Sequence, residues 1–412
     1  MKIAIPTRFA HSVGGVETYL ECVLPALVSR GHDVVVWHEI DMPSHTASIV
    51  GRGVERRLLG SSDSEARAAL RDMRGWQPDV VFSQGIARPS VELDMTGLAP
   101  YVPVLHAYQG ACISGFKTHT FPSPVPCQQA LGPSCLLQFH ARRCGGWSPL
   151  TMVQDYATQT ARRDVLRRST RVVTLSQYMR DECVRQGVQD ECVQCVPAFA
   201  PPLPHVEHAS TTASTGDRRL HLAFAGRMER LKGAQLLLEA LALVTPAVLA
   251  RLHVTMLGDG IERAACERLA SGLRTSGAAI DLPGWCSREE WSRVLRHVDL
   301  LVVPSVWPEP LGLIGLEAAS AGVPALAFDV GGISDWLVDG QTGRLLSTRP
   351  SASALARGIE DCLSDPPRLR RWGHAAASAA RLRTVDAHVE ALEAVLMDAV
   401  EQRGVVSAGS PT

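Results

Sequence analysis

The chain has 412 residues, of which 46% are hydrophobic and 20% charged, and its formal net charge is −1. This length predicts two domains, each with a core of its own, and the balanced charge argues against a nucleic-acid partner. The sequence contains no apolar run approaching the roughly 18 to 20 residues of a membrane span, and it opens on an apolar strand rather than a signal peptide. We therefore expect a cytoplasmic protein.

The numbers of cysteines and lysines indicate which of these residues have special roles. The eleven cysteines should be reduced and mostly serve as small core residues, because the chain is long and no signal peptide is predicted. Of the 41 basic residues only Lys2, Lys117 and Lys232 are lysines. Since arginine is the default cation of this sequence, Lys232, which lies in a predicted loop, indicates a specific requirement for an ammonium group.

The first elements predict a βαβ unit. An apolar strand at residues 2–6 leads into a polar loop ending in Gly14 and Gly15, and a helix then runs from Val16 to Arg30. Asp33–Trp37 is the next strand. Such a loop can aim backbone N–H groups at an anion, although a simple tight turn is the alternative. The dinucleotide fingerprint Gly-x-Gly-x-x-Gly is absent, which argues against a dehydrogenase.

A histidine ends one of the following strands. Asp79–Ser83 and Val102–Leu105 repeat the buried strand pattern, and the second leads directly into His106. Because the carboxyl ends of parallel strands usually face the ligand, we regard His106 as a candidate site residue. A structural role is the alternative for a histidine at a strand end.

Residues 110–150 form an insertion rich in glycine, proline and cysteine. Its cysteines are Cys112, Cys127, Cys135 and Cys144. Together with His106, His119 and His140 they could bind a metal, but their spacing is irregular and lacks a Cys-x-x-Cys pair. We therefore predict that they pack in the fold, and we predict no metal site.

A basic helix follows the insertion at Tyr156–Ser169, and Ser176 is predicted to cap the helix after it. The arginines of the basic helix are Arg162, Arg163, Arg167 and Arg168. A solvated helix face is the common explanation, and a patch for an anionic acceptor or for the inner face of a membrane is the sharper alternative. Residues 201–217 are rich in proline and then in serine and threonine, which predicts an interdomain linker.

A second series of strands begins at Leu220–Ala225. The loop that follows contains Arg227 and Lys232, and it precedes a helix predicted at Gln235–Val244. Two fixed cations at the carboxyl end of a strand suit a diphosphate, which arginine binds as a fork and lysine as a point charge. A surface loop is the alternative, and the rarity of lysine argues against it.

Three further strands deliver loops to the same edge. Leu252–Leu257 precedes Gly258, Ile280–Leu282 precedes a Gly-Trp pair, and Leu300–Val303 precedes a segment with two glutamates. Successive βα units predict a second doubly wound sheet with its ligand at the carboxyl ends of the strands. Arg368–Arg403 is predicted as a terminal amphipathic helical region.

The two glutamates, Glu309 and Glu317, are placed on different elements. Glu309 falls in the loop after the strand, whereas Glu317 falls about two turns into a helix predicted to start near Leu311. Gly312 lets a ligand approach the backbone, and the N–H groups that open the helix can bind an anion. The alternative is that both acids are merely solvated.

Taken in order, these motifs resemble the retaining family 4 glycosyltransferases, whose GT-B architecture places two Rossmann-like domains around a cleft. The resemblance covers nearly the whole chain. It rests on motifs in a fixed order: Gly14-Gly15, Gly226-Arg227, Lys232-Gly233, Gly258-Asp259-Gly260, Pro304-Ser305, the spacing of Glu309 and Glu317, and Gly331-Gly332. The chain departs from the family pattern at Ala107, where an acid is common after the histidine, and at Asp335, where a glutamate is common after Gly-Gly.

The resemblance implies an α/β fold with two facing doubly wound domains and four segments. They are an acceptor-side domain at 1–200, the linker at 201–217, a donor domain at 218–370, and helices at 371–412 that return to the first domain.

It also implies transfer of a sugar from a UDP- or GDP-sugar to an unidentified acceptor, with retention of configuration and without a metal or other cofactor. Glu309 would contact the sugar, Glu317 the ribose, and Arg227 and Lys232 the diphosphate, with His106 as a further catalytic residue. The implied donor-binding residues are Gly14, Gly15, Arg227, Lys232, Gly258, Glu309, Leu311, Gly312, Leu313 and Glu317.

Two related functions stay open from sequence. One is a GT-B enzyme that hydrolyses or epimerises a nucleotide sugar, and the other is an inactive nucleotide-binding relative. The intact set of Arg227, Lys232, Glu309 and Glu317 argues against the inactive relative. The sequence leaves the donor base, the sugar, the acceptor and the oligomeric state open.

Overall fold

The computed structural model describes residues 1–11, 14–41, 48–49, 51, 53–204 and 219–408. The chain forms two compact units. The first unit comprises Met1–Lys117, Gln128–Pro201 and Thr384–Thr412, and the second comprises Thr118–Cys127 and Pro202–Arg383. Most of the linker predicted at 201–217 lies outside the described residues.

The first unit is built on a seven-stranded parallel sheet with the order β3-β2-β1-β4-β5-β8-β9. Its strands are β1 (Lys2–Phe9), β2 (Asp33–Ile40), β3 (Glu55–Leu58), β4 (Val80–Ser83), β5 (Tyr101–Leu105), β8 (Val172–Thr174) and β9 (Val193–Cys195). Its helices are α1 (Gly15–Ser29), α2 (Asp63–Trp76), α3 (Pro89–Thr96), α4 (Ser134–Ala141), α5 (Pro149–Arg168), α6 (Gln177–Arg185) and α14 (Val385–Ala408).

The sequence explains these elements locally. The central strands are continuous runs of buried apolar residues, as expected for a parallel sheet covered on both faces. Several helices begin at a serine: Ser62 forms a capping box with Glu65, and Ser176 accepts a hydrogen bond from the backbone N–H of Met179, as predicted for the cap of α6.

The last helix belongs to the first unit. His388 of α14 lies 2.9 Å from the Tyr19 hydroxyl through Nε2, and its Nδ1 lies 2.9 Å from the carbonyl oxygen of Pro197. Arg171 donates to Asp398 at 2.6 Å and Arg30 to Glu393 at 3.0 Å. The helix is therefore fixed by polar contacts along its length.

The second unit is built on a six-stranded parallel sheet with the order β12-β11-β10-β13-β14-β15. Its strands are β10 (Leu220–Ala225), β11 (Leu252–Leu257), β12 (Ala279–Gly284), β13 (Leu300–Val303), β14 (Ala325–Phe328) and β15 (Gly343–Leu346). Its helices are α7 (Ala234–Leu241), α8 (Pro246–Leu249), α9 (Arg263–Thr275), α10 (Arg288–Leu295), α11 (Leu313–Ser320), α12 (Ala352–Leu363) and α13 (Pro366–Arg381).

The predicted fold class, two doubly wound parallel sheets, is confirmed. The strands at 220–225, 252–257 and 300–303 have the predicted bounds. The helical region predicted at 368–403 is two helices, α13 and α14, which are separated near Thr384. The insertion at 110–150 contains α4, the start of α5 and a short antiparallel pair, β6 (Thr118–His119) and β7 (Val125–Pro126).

Candidate functional site

The loops after β10 and β13 bring a lysine and a glutamate together. The Nζ of Lys232 donates to Oε1 of Glu309 at 2.7 Å and to Oε2 at 2.9 Å. The Ser305 hydroxyl donates to the same Oε1 at 2.5 Å. Glu309 is only 4% exposed, so its carboxylate is held by charge and hydrogen bonds in a nearly dry environment.

An aromatic ring completes the surroundings of the lysine. Nζ of Lys232 lies 5.0 Å from the ring centroid of Trp307, which is within the range of a cation–π contact. The lysine ammonium has three N–H donors, and two point to Glu309. Its position is therefore fixed by the Glu309 carboxylate and by the Trp307 ring.

Backbone packing explains why these loops meet. The N–H of Val306 donates to the carbonyl of Leu231 at 2.9 Å. Gly233 has φ of +76°, and a Cβ there would lie 2.1 Å from the carbonyl oxygen of Pro304. Only glycine allows this approach, which is how residues 77 positions apart in the chain form one ion pair.

Glu309 is held from its other side by the loop after β14. Gly332 donates its N–H to the carbonyl of Glu309 at 2.7 Å. Gly331 has φ of +69°, and a Cβ there would lie 2.2 Å from that same carbonyl oxygen. The Gly-Gly pair therefore positions the backbone of the glutamate.

Glu317 lies on α11 and faces α10. Its Oε2 accepts a hydrogen bond from Trp291 Nε1 at 3.0 Å, and Oε1 lies 3.6 Å from the guanidinium of Arg288. Burial raises the pKa of the Glu317 carboxyl, although Arg288 and Trp291 oppose this shift. Its carboxylate is therefore oriented by two neighbours that the sequence did not identify.

The remaining predicted residues of the second unit lie on nearby loops. The Arg227 side chain is 65% exposed and pairs with Glu229 at 2.9 Å. Gly258 donates its N–H to the carbonyl of Gly284 at 2.7 Å, which ties the loop after β11 to the end of β12. Arg227 is thus a surface cation, in contrast to Lys232.

The start of α11 differs slightly from the prediction. The helix begins at Leu313, two residues after the predicted Leu311, because Gly312 has φ of +85° and serves as the N-cap. Trp336 Nε1 donates to the carbonyl of Leu311 at 2.7 Å. Gly312 has no side chain with which to cap the helix, so the N–H groups of Leu313 and Ile314 can face an anion, whereas the N–H of Gly315 donates to the carbonyl of Gly312 at 2.9 Å.

In the first unit His106 lies after β5 beside Gln84, which follows β4. Nε2 of His106 donates to Oε1 of Gln84 at 3.0 Å, and the ring lies edge-on to Tyr19. Burial, followed by the neighbouring His388, lowers the pKa of His106 to about 4. The imidazole is therefore neutral near pH 7 and acts as a hydrogen-bonding group.

Gly14 and Gly15 are exposed and lie at the start of α1. The Glu17 carboxylate is close to this turn, since a Cβ on Gly14 would lie 3.5 Å from Glu17 Oε2. Burial raises the pKa of Glu17, and the N–H groups of Glu17 and Gly14 oppose the shift. The glycine turn therefore has a carboxylate at its N–H groups.

Comparison with known proteins identifies the family. A model described as "Glycosyl transferase 4-like domain" matches residues 14–198, and one described as "Glycosyl transferases group 1" matches residues 213–379. The chain belongs to the GT4-type glycosyltransferases of GT-B fold. It is therefore a glycosyltransferase that uses a nucleotide sugar.

Curated relatives of this glycosyltransferase include a glycogen synthase of Mycobacterium tuberculosis (strain H37Rv), 25% identical over 88% of this chain and 86% of the relative. A D-inositol 3-phosphate glycosyltransferase of Arthrobacter sp. (strain FB24) is 35% identical over 39% of this chain and 38% of the relative. The second match is stronger in identity but covers less than half of either protein.

Two solved structures show the same fold. Anabaena Alr3699/HepE in complex with UDP has a TM-score of 0.70 at 17% identity, with 97% of this chain and 100% of that chain covered. WaaG, a glycosyltransferase involved in lipopolysaccharide biosynthesis, has a TM-score of 0.66 at 16% identity, with 95% and 98% covered. No described helix of this glycosyltransferase is long and apolar enough to cross a membrane.

The insertion of the glycosyltransferase keeps its cysteines as free thiols. Cys112 is buried, and its Sγ accepts a hydrogen bond from the N–H of Lys117 at 3.3 Å. Among the described residues, no three His, Cys, Asp or Glu side chains come together as metal ligands. Within the insertion, Cys112 therefore serves as a buried packing residue.

Three of the four arginines on α5 are committed to the fold. Arg162 donates to the Glu92 carboxylate at 3.2 Å and to the Ile86 carbonyl at 2.7 Å. Arg163 and Arg167 each donate to a backbone carbonyl, that of Leu131 at 2.6 Å and that of Gln186 at 2.7 Å. Spacing on the helix could not reveal these long-range partners. A patch for an anionic ligand therefore does not follow from this cluster.

Proposed function

We propose that this glycosyltransferase moves a sugar from a UDP- or GDP-sugar to an acceptor hydroxyl, with retention of anomeric configuration and without a divalent metal. The reaction would belong to the biosynthesis of a glycan or a glycosylated metabolite. The observation that supports it most is the ion pair between the half-buried Lys232 and the buried Glu309, in the loops that follow β10 and β13. Such a position is where open α/β sheets bind their ligands.

The chemistry requires compensation of two charges. When the bond between the anomeric carbon and the diphosphate oxygen breaks, positive charge develops on the carbon and negative charge on the leaving diphosphate. In the proposal, Lys232 and the exposed Arg227 stabilise the diphosphate. The N–H groups of Leu313 and Ile314, in the first turn of α11, add further donors. These groups take the place of the metal ion that other transferases use.

The two glutamates receive separate roles in the proposal. Glu309, fixed by Lys232 and Ser305, lies against the transferred sugar and stabilises the positive charge on its anomeric carbon. Glu317 accepts hydrogen bonds from the ribose hydroxyls while Trp291 keeps its carboxylate oriented. Leu311, Gly312 and Gly258 contribute backbone contacts to the donor.

The first unit contributes neutral groups to the proposal. His106 contacts a substrate hydroxyl in its uncharged form, as its lowered pKa favours. Nε2 of Gln84 is buried and has no hydrogen-bond partner among the described residues, so it supplies a donor for the same purpose. Gly14 and Gly15 let the donor approach the backbone closely, because neither residue has a side chain.

Support for a uridine donor comes from a structural relative. HepE was solved in complex with UDP, with UDP and glucose, and with UDP-glucose. The GDP-sugar remains within the proposal because a shared fold does not fix the nucleobase.

The function is tested by incubating the protein with UDP- and GDP-sugars in EDTA, with and without acceptor extracts. The expected result is release of nucleoside diphosphate that depends on the acceptor and is unaffected by EDTA. Release of nucleoside diphosphate without any acceptor would instead indicate a hydrolase. Conversion of the nucleotide sugar into its epimer would indicate an epimerase. Loss of turnover in EDTA that a divalent ion restores would contradict the metal-free part of the proposal.

A further inference from the structure

The insertion presents apolar side chains to solvent. We define the α4–α5 hairpin as residues 134–154, that is α4, its connecting loop and the first turns of α5. Four of its large apolar residues are exposed: Leu137 by 82%, Trp147 by 71%, Leu150 by 68% and Val153 by 54%. Soluble surfaces rarely group such residues without a binding role.

The inner face of the hairpin already has a core. Phe139 is 1% exposed and packs with Ile113 and Leu131, while Met152 and Tyr156 of α5 lie against the same cluster. The exposed residues are therefore not needed to hold the two helices together. They form a second apolar face that is directed away from the fold.

Ring contacts connect the two helices on this outer face. The rings of His140 and Trp147 stack with their centroids 6.3 Å apart. Leu137 lies one helical turn before His140, and Leu150 and Val153 share one side of α5. The stacked rings thus link α4, which carries the exposed Leu137, to the loop that carries Trp147 and leads into α5.

The charge of this part of the chain has one sign. Between Asp94 and Asp155 the sequence contains no acidic residue. Lys117, within this stretch, is buried in an ion pair with Glu182 of α6 at 2.6 Å, whereas Arg142 and Arg143 of the hairpin are exposed. The apolar face is therefore accompanied by positive charge, although the whole chain has a net charge of −1.

Arg143 occupies a position where glycine is the usual residue. It has φ of +50°, and it ends α4 in a Schellman motif: Cys144 donates to the Phe139 carbonyl at 2.9 Å and Arg143 to the His140 carbonyl at 3.2 Å. A non-glycine residue in this conformation costs stability. The arginine instead holds its guanidinium over the Trp147 ring, 5.6 Å from the centroid.

We propose that the α4–α5 hairpin docks this protein on an anionic phospholipid bilayer. Tryptophan and leucine enter the interface between headgroups and acyl chains, and arginines bind the lipid phosphates. The absence of acids between Asp94 and Asp155 favours an anionic surface over a neutral one. The inference does not depend on the donor, the acceptor or sugar transfer.

The full-length protein is tested by co-sedimentation with two kinds of vesicles. One kind contains phosphatidylcholine alone and the other phosphatidylcholine mixed with phosphatidylglycerol. Binding is expected mainly on the mixed vesicles and should weaken as salt rises, because surface charges are screened. Free glycerol phosphate should not compete. Equal binding to both kinds of vesicle, or none to either, would overturn the proposal.

Variants locate the contact. R142Q should lower the partition coefficient on anionic vesicles about fivefold, and L150S about tenfold. R143G should also lower it about fivefold, while the thermal midpoint stays unchanged or rises because glycine fits φ of +50°. This opposite effect on binding and stability separates docking from folding.

Matched controls lie elsewhere on the surface. Leu382 is 82% exposed, and Arg71 of α2 is exposed as well. L382S and R71Q should bind vesicles like the wild type. If the hairpin variants bound like these controls, the proposal would be wrong. A concentration-dependent dimer, seen by size exclusion and lost in L150S without any effect on vesicles, would assign the surface to a second copy of the chain instead.

Discussion

The two units have related sheets but different chemistry where corresponding strands end. In the second unit the loops after β10 and β13, which are adjacent strands, supply Lys232 and Glu309. In the first unit β1 and β4 are adjacent in the same way, and the loop after β4 supplies Gln84, which binds the neutral His106. One edge therefore holds a partly buried ion pair and the other an uncharged hydrogen-bonded pair.

This difference shows that the loops, rather than the sheets, divide the chemistry. A parallel sheet places any side chain at the end of its strands, and the residue type decides what is bound there. In the proposal, cations of the second unit bind the diphosphate, and neutral donors and acceptors of the first unit bind a substrate hydroxyl.

The largest effect is expected from Lys232→Ala. The variant removes the cation proposed to stabilise the leaving diphosphate, so kcat/KM should fall about 10³-fold. Arg230→Ala, which changes an exposed arginine on the same turn, is the matched control and should stay near wild type. Lys232→Gln is made in parallel to keep a hydrogen-bond donor beside Glu309. Wild-type turnover of either lysine variant would refute the assignment.

Glu309→Gln should lower kcat about 10²-fold with a smaller change in KM, because the lost charge acts mainly on the transition state. The amide can still accept a hydrogen bond from Lys232, so the fold should persist. Steady-state kinetics together with a melting curve checks both statements. A variant with unchanged kcat and a raised KM would place Glu309 in ground-state binding only.

His106 should make the protein acid-sensitive. Its pKa is lowered to about 4 in the folded protein. Below the ordinary histidine pKa the unfolded chain therefore binds more protons than the folded one, and the free energy of unfolding decreases as the pH decreases. Between pH 7.5 and pH 5 this loss amounts to about 2 kcal/mol. Urea unfolding at both pH values should show a smaller loss for His106→Asn. An equal loss in wild type and variant would show that His106 is not the group responsible.

Glu317→Gln should raise the KM for the donor about tenfold, as expected for a lost hydrogen bond to a charged group. The amide oxygen still accepts from Trp291, so the orientation is retained. Trp291→Phe removes that hydrogen bond alone, and its effect on KM should be smaller. If Trp291→Phe had the larger effect on KM, the role of Glu317 would be to hold α10 in place rather than to bind the ribose.

The smallest effect is expected from Trp307→Leu. The variant removes the ring next to the Lys232 ammonium but keeps the apolar volume in part, so kcat/KM should fall about fivefold. The measurement is kcat/KM of Trp307→Leu, of Lys232→Ala and of the double variant. Because the ring acts through the lysine, the double variant should be no worse than Lys232→Ala alone.

The sequence was informative wherever the signal is local. Buried strands such as Leu220–Ala225 and Leu300–Val303 are short apolar runs between loops, and their bounds were predicted correctly. The Lys232-Gly233 motif was predicted to belong to a donor site, and the structure brings Lys232 next to Glu309, which was assigned to the same site. The cap at Ser176 was also correct, because an N-cap depends on its own first turn alone.

The sequence was silent wherever partners are distant in the chain. Nothing local indicates that Lys232 is paired with Glu309, that Trp291 holds Glu317, or that Gln84 binds His106. The arginines of α5 were ambiguous for the same reason. Ser305 lay inside a recognised motif, but its hydrogen bond to Glu309 depends on the loop conformation.

Binding of nucleoside diphosphates in EDTA is the sharpest test of the role proposed for Lys232. Calorimetry compares UDP, GDP and the matching monophosphates on the wild type and on Lys232→Ala. We predict that the wild type binds one diphosphate without metal, that Lys232→Ala weakens this affinity tenfold or more, and that the affinity for the monophosphate changes less. Equal diphosphate affinity in both proteins, or binding only when a divalent ion is added, would contradict it.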